Sequence, residues 1–117
     1  MPKDTPEQAA EKEAVLQKCL KNAAQGPIKM VEYIYEAIKL QEELVDISTK
    51  IIISDVGCGV QFLKAALNSA SLNVTVNLNS INDEAYVKEV NDKMAKLVAD
   101  GSTICDKVYA KVVEVLG

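Results

Sequence analysis

The chain has 117 residues, enough for one domain or part of one, with a core that needs no disulfide staples. Its formal charge of −4 supplies no basic patch against phosphate repulsion, which excludes nucleic acid as a main partner. Histidine is absent, which removes Ser-His-Asp triads, Cys-His dyads and zinc sites that need imidazole.

Thr5-Pro6-Glu7-Gln8 is a helix start, with Thr5 as cap, Pro6 at the first helical position and Gln8 closing a capping box. The helix is expected to run through Ala14, Val15, Cys19 and Leu20 to about Ala24. Gly26-Pro27 then marks a kink or the first turn of a new helix, because proline has no N–H to donate. From Ile28 a second amphipathic pattern follows through Val31, Ile34, Tyr35, Ile38 and Leu44/Val45, fading near Ser48-Thr49.

Ile51-Ile52-Ile53 is β-branched and could open a strand, yet Ser54 or Asp55 is also a suitable cap for a helix carrying Val56, Val60, Leu63 and Leu67. Gly57 and Gly59 inside that helix imply close packing against another backbone. Asn73 to Leu78 alternates polar and apolar residues, the pattern of a strand, although a lone strand is poorly stabilised. Ser80 is expected to cap a last helix with Asp83 and Glu84 as first-turn acids. Its apolar stripe is Val87, Val90, Met94, Leu97, Ile104, Val108 and Val115, with Gly101 as a kink or division.

Asp55 is the leading chemical candidate. Partial burial after three isoleucines would disfavour the charged form of a carboxylate, which suits proton transfer near neutral pH. The competing role is a helix cap. Asn73 and Asn77 are four apart, hence on one face of a helix, and each carboxamide offers a donor and an acceptor. Their competing role is an interhelical polar contact. Asn68 and Ser69 are weaker candidates, and Tyr33 and Tyr35 pack along the second pattern. Lys50 and Lys64 could attract an anionic tail or be simply solvated. Cys58 is expected to be a small buried hydrophobe. The three cysteines are widely spaced and odd in number, which fits reduced thiols in the cytoplasm. No apolar run is long enough to span a bilayer, and the first residues have no signal-peptide character.

Several of these segments together resemble the cyclodeaminase domain of formiminotransferase-cyclodeaminase and the related methenyltetrahydrofolate cyclohydrolases. Pro2-Lys3-Asp4-Thr5-Pro6-Glu7 is similar to the family's connector into a central helix, and Pro27 to its Val-Pro-Leu step. Ser54-Asp55 resembles its Ser-Asp pair, Asn73-Val74-x-x-Asn77-Leu78 its Asn-Val-x-x-Asn-Leu motif, and Asp83-Glu84-Ala85-Tyr86 the motif that follows. The chain departs from the family where Asp46-Ile47-Ser48-Thr49-Lys50 replaces a Gly-Asn element, and where Val56-Gly57-Cys58-Gly59 replaces an alanine-rich stretch. The Pro-Gly-Gly-Gly-Ser segment and the helices that precede it have no counterpart, so residues 1–117 are expected to be the C-terminal portion of a single helical domain.

The resemblance implies an all-α fold, an antiparallel helical bundle, and decides for helix over residues 73–78. It implies a homodimer, and cyclodeamination of formiminotetrahydrofolate or hydrolysis of methenyltetrahydrofolate. Asp55 would be the general acid/base or orienting group, and Ser54, Asn73 and Asn77 the substrate-binding residues. No metal is expected, and no cofactor beyond the tetrahydrofolate-derived substrate. The rival expectation is a non-catalytic helical dimerisation or assembly fragment.

Overall fold

The computed structural model describes residues 5–117; the Pro2-Lys3-Asp4 part of the connector motif lies outside them. Three helices follow one another: α1 Pro6–Ile47, α2 Ile53–Leu78 and α3 Glu84–Leu116. They form an all-α bundle that runs up, down and up.

α1 starts as expected. The Thr5 hydroxyl accepts from the Gln8 backbone N–H, and the Gln8 side chain accepts from the Thr5 N–H. The expected break at Gly26-Pro27 does not divide the helix, and two predicted elements become one. Two local facts explain this. Gly26 has no Cβ to clash with the Pro27 ring, which relieves the usual restriction on the residue before proline. Ala24, Ile28 and Val31 are buried on either side of the proline, so core packing holds both halves in line.

α2 begins one residue before the expected caps. Ile52 occupies the N-cap position with no side-chain hydrogen bond, and the N–H groups of Ile52 and Ile53 donate to the Thr49 carbonyl. Burial of Ile53, 2% exposed, fixes this start and carries Ser54 and Asp55 into the first turn. Neither caps, and Ile51 to Ile53 form no strand.

The segment from Asn73 to Leu78 is helical, because its buried positions are Ala70, Val74 and Leu78, spaced by four and not by two. Its polar side chains fold back on the helix. Asn68, Thr75 and Asn77 donate to the carbonyls of Lys64, Ser71 and Asn73, each four residues earlier.

α3 is capped by Asp83, not Ser80: its carboxylate accepts from the Tyr86 N–H. Ser80 lies in the turn that seats Ile81 in the core. Gly101 does not divide α3. It is buried where the three helices meet, against Leu67 of α2 and Ile38 and Tyr35 of α1. Beyond it the buried stripe is Cys105, Val108 and Val112, while Ile104 is half-buried and Val115 exposed. The close approaches at Gly57 and Gly59 are to side chains, Val112 and Gln41, and not to backbone.

Cross-helix contacts set the register. Lys21–Asp83, Lys93–Glu32, Lys107–Glu42 and Lys111–Asp46 ascend together, so α1 and α3 run parallel. The pair Lys64–Asp106 and the contact of Gly57 with Val112 make α2 antiparallel to α3. The α2–α3 turn docks on a polar ladder of α1. Gln17 donates to the Ser80 carbonyl and accepts from the Asn82 N–H, Asn82 donates to Glu13, and Gln25 donates to the Tyr86 hydroxyl.

Candidate functional site

α2 carries all four predicted site residues, and its geometry divides them. Ser54 and Asp55 stand in its first turn; Asn73 and Asn77 stand in its last two. At 1.5 Å rise per residue, Asp55 and Asn73 are about 27 Å apart along one copy of the helix. The structure brings Asn73 and Asn77 together on one face, where Asn77 Nδ2 donates to the Asn73 carbonyl at 2.8 Å. It does not bring either of them to Asp55 within the chain.

Ser54 and Asp55 also diverge from each other, since adjacent helical residues point about 100° apart. Ser54 lines an apolar groove of about 400 Å³ between α2 and α3, with Gly57, Cys58, Phe62, Tyr109 and Val112. Asp55 lies on the other flank of α2. One turn further on, that flank carries Gly59, against the Gln41 side chain of α1. A broader concavity of about 580 Å³ follows Gln8, Lys12, Val15 and Cys19 on α1 alone, and no predicted site residue lines it.

The expected partial burial of Asp55 is not found. The side chain is exposed, because the three isoleucines before it separate: Ile53 turns inward while Ile51 and Ile52 face out. Cys58, expected to be buried, is exposed as well; Cys105 is the buried thiol, pushed up from its usual range by burial. Of the two lysines near the Ser-Asp pair, Lys64 is engaged by Asp106 at 2.7 Å and Lys50 lies exposed in the α1–α2 turn. The Tyr35 hydroxyl donates to Asp100, which with some burial raises its pKa above the usual 10.0, while Tyr33 is exposed. Asp83 is the α3 cap and Asp83-Glu84-Ala85-Tyr86 the docking turn, a structural role. Among the described residues no group of three or more acidic or thiol side chains could hold a metal, and no helix is long and apolar enough to cross a membrane.

Sequence reasoning did not single out Gln41. Its Oε1 is buried and accepts no hydrogen bond among the described residues, on the α1 side of the Asp55 flank. A lone glutamine in an amphipathic pattern carries no signal for that.

Among the polar side chains of α2, the Asp55 carboxylate is of a type that can move a proton and the Asn73 and Asn77 carboxamides of a type that can bind a nitrogen heterocycle, at opposite ends of the helix. Comparison with known proteins agrees with the motifs. The chain is 32% identical over 112 residues to a methenyltetrahydrofolate cyclohydrolase of Methylorubrum extorquens, covering 96% of this chain and 54% of that protein. It is 27% identical over 115 residues to a formimidoyltransferase-cyclodeaminase of Sus scrofa, covering 95% of this chain and 21% of that protein. A similar protein of Gallus gallus is 28% identical over 103 residues, 86% of this chain and 18% of its own length. The chain therefore spans about half the length of the first of these relatives and a smaller share of the others. The family model described as formiminotransferase-cyclodeaminase matches residues 1–96, and the chain belongs to that family.

Proposed function

We propose that this chain acts in folate-dependent one-carbon metabolism, as the C-terminal portion of a formiminotetrahydrofolate cyclodeaminase or methenyltetrahydrofolate cyclohydrolase domain. The observation that carries the reading is the family match over residues 1–96, together with relatives whose names state these two reactions.

Both reactions act at the one-carbon unit held by N5 and N10 of tetrahydrofolate. In the hydrolase, water adds to the methenyl carbon and loses a proton; the hydroxyl so formed then gives up its proton as N5 takes one up and the N5–carbon bond breaks, leaving the formyl group on N10. In the deaminase, N10 adds to the formimino carbon and ammonia leaves after taking up a proton. Each needs one group that accepts and returns a proton, and Asp55 is that group in this reading. Asn73 and Asn77 supply the donor and acceptor pairs that a pterin edge requires, and Ser54 a further hydroxyl. No step calls for a metal or a cofactor beyond the folate itself. The protein works as a homodimer, and in the cytoplasm, where its unpaired thiols stay reduced.

Calorimetric titration with a stable tetrahydrofolate analogue tests this directly. Saturable binding that weakens at least about tenfold in Asp55→Asn is expected, a loss near 1.4 kcal/mol. A well-folded chain that binds no folate would overturn the proposal.

A further inference from the structure

Gln41 of α1 stands apart from the other polar side chains of the bundle. Its Oε1 is buried and accepts no hydrogen bond, and among the described residues no other buried side-chain oxygen or nitrogen is left in that state. Folded chains rarely keep a buried acceptor unmet, and one that persists asks for a donor supplied at another moment. The amide lies against Gly59 of α2. A Cβ placed there would stand 3.5 Å from Nε2 and 3.6 Å from both Cδ and Oε1. Such near-equal distances mean that Gly59 meets the flat side of the amide, and residue 59 has no side chain to cover it.

Asp55 stands one helical turn before Gly59 on the same flank of α2. Side chains four apart on a helix are neighbours, with Cβ atoms about 5–6 Å apart. Turned along the flank, the Asp55 carboxyl therefore reaches the space over Gly59 that the Gln41 amide borders. Asp55 is exposed, and its side chain has no hydrogen bond or ion pair among the described residues to hold it elsewhere. The polarity also matches. A carboxylate has acceptors alone and gives Oε1 nothing, whereas a protonated carboxyl carries one O–H donor. Of the predicted site residues, Ser54 faces the α2–α3 groove and Asn73 and Asn77 lie at the far end of the helix. Asp55 is thus the one on this flank that can meet Oε1, and it can do so only after taking up a proton.

We propose that Gln41 is the positioning residue of Asp55, its Oε1 accepting a hydrogen bond from the Asp55 carboxyl whenever that carboxyl holds the proton. In the reactions described above, Asp55 takes a proton from the adding water or from N10 and later returns it. In between, its O–H donates to Gln41 Oε1, and the carboxyl is fixed in one rotamer beside the reacting carbon. When the proton leaves, the hydrogen bond is lost and Oε1 is unmet again, as in this structure. Nothing is transferred to Gln41 itself. The contact stands on the geometry of α1 and α2; its catalytic use rests on the folate reading given above.

The contact is tested without folate. Asp55→Asn sets a permanent N–H donor where the protonated carboxyl would offer a transient one. It should move the side-chain amide resonances of Gln41 and raise the urea midpoint of unfolding. The gain in midpoint should vanish when Asp55→Asn is combined with Gln41→Met, or with Gly59→Leu, which lays a side chain over the amide. Unmoved Gln41 resonances, or a midpoint shift that is the same in all three backgrounds, overturns the contact. The catalytic use is tested in Gln41→Met alone. Its affinity for a tetrahydrofolate analogue should stay within about twofold of wild type while turnover falls about tenfold, a loss in kcat and not in KM. Turnover equal to wild type overturns the positioning role. A wild type that neither binds nor turns over folate overturns the functional reading instead, and the Gln41 resonances still decide the contact.

Discussion

Asp83 caps α3 with one carboxylate oxygen on the Tyr86 N–H and pairs through the other with Lys21 at 2.7 Å. Lys21 first, and then the Tyr86 N–H, hold its pKa below the usual 3.8. A depressed carboxylate stabilises the fold fully above its unfolded pKa and loses that contribution as pH falls through the folded value. Asp83→Asn keeps the cap but removes both the ion pair and the titration. Its stability should trail wild type by a constant margin above about pH 4 and converge with it below, followed by urea unfolding across the acid range. A gap that persists at pH 2 would show that the carboxylate acts otherwise. Gln41 makes the opposite case. Its buried Oε1 lacks a partner among the described residues, and an unmet buried acceptor costs about 1–3 kcal/mol. Gln41→Leu should therefore raise stability by about 1 kcal/mol in chemical denaturation.

Among the helices, α3 holds the glycine in the tightest contact, closer than Gly57 of α2 against Val112. A Cβ added at Gly101 would lie 2.7 Å from Leu67 Cδ2 and 3.4 Å from both Ile38 and Tyr35. Leu67 and Ile38 are fully buried, so neither can withdraw easily. Overpacking of this kind costs about 1–3 kcal/mol, against about 1 kcal/mol gained from replacing a helical glycine. Gly101→Ala should thus lower the midpoint of thermal unfolding despite its better helix propensity. Pro27 invites the reverse test: it removes one N–H from the interior of α1, so Pro27→Ala should raise the midpoint. The same elements show what the chain made legible. The Thr5–Gln8 capping box is a contact over three residues, and sequence placed it correctly. The starts of α2 and α3 were misplaced because Ser54, Asp55, Ser80 and Asp83 are all fit to cap. Burial of Ile53 and Ile81, a tertiary matter, selects among them. Gly101 and Pro27 were read as breaks from propensity alone, and packing across three helices overrides propensity at both.

At the scale of the whole molecule the bundle is long and thin, 70 × 24 × 16 Å, because α1 is much longer than α2. Shape also explains why the candidate site was only half legible. The residues and their helical spacing could be read in order, but the helix that presents them sets the acid and the amides at opposite ends, and sequence order is silent about a second chain. The bundle's own stability is similarly uneven. Its centre is the level of Leu67, Ile38 and Gly101, where all three helices touch, whereas every residue from Pro6 to Leu16 is exposed. An isolated helix of that length is marginal in water, so the first turns of α1 draw little support from packing. Hydrogen exchange should therefore rank the amides by layer: fastest over residues 6–16, slowest around Ile38, Leu67 and Cys105, the last group opening only with the whole molecule.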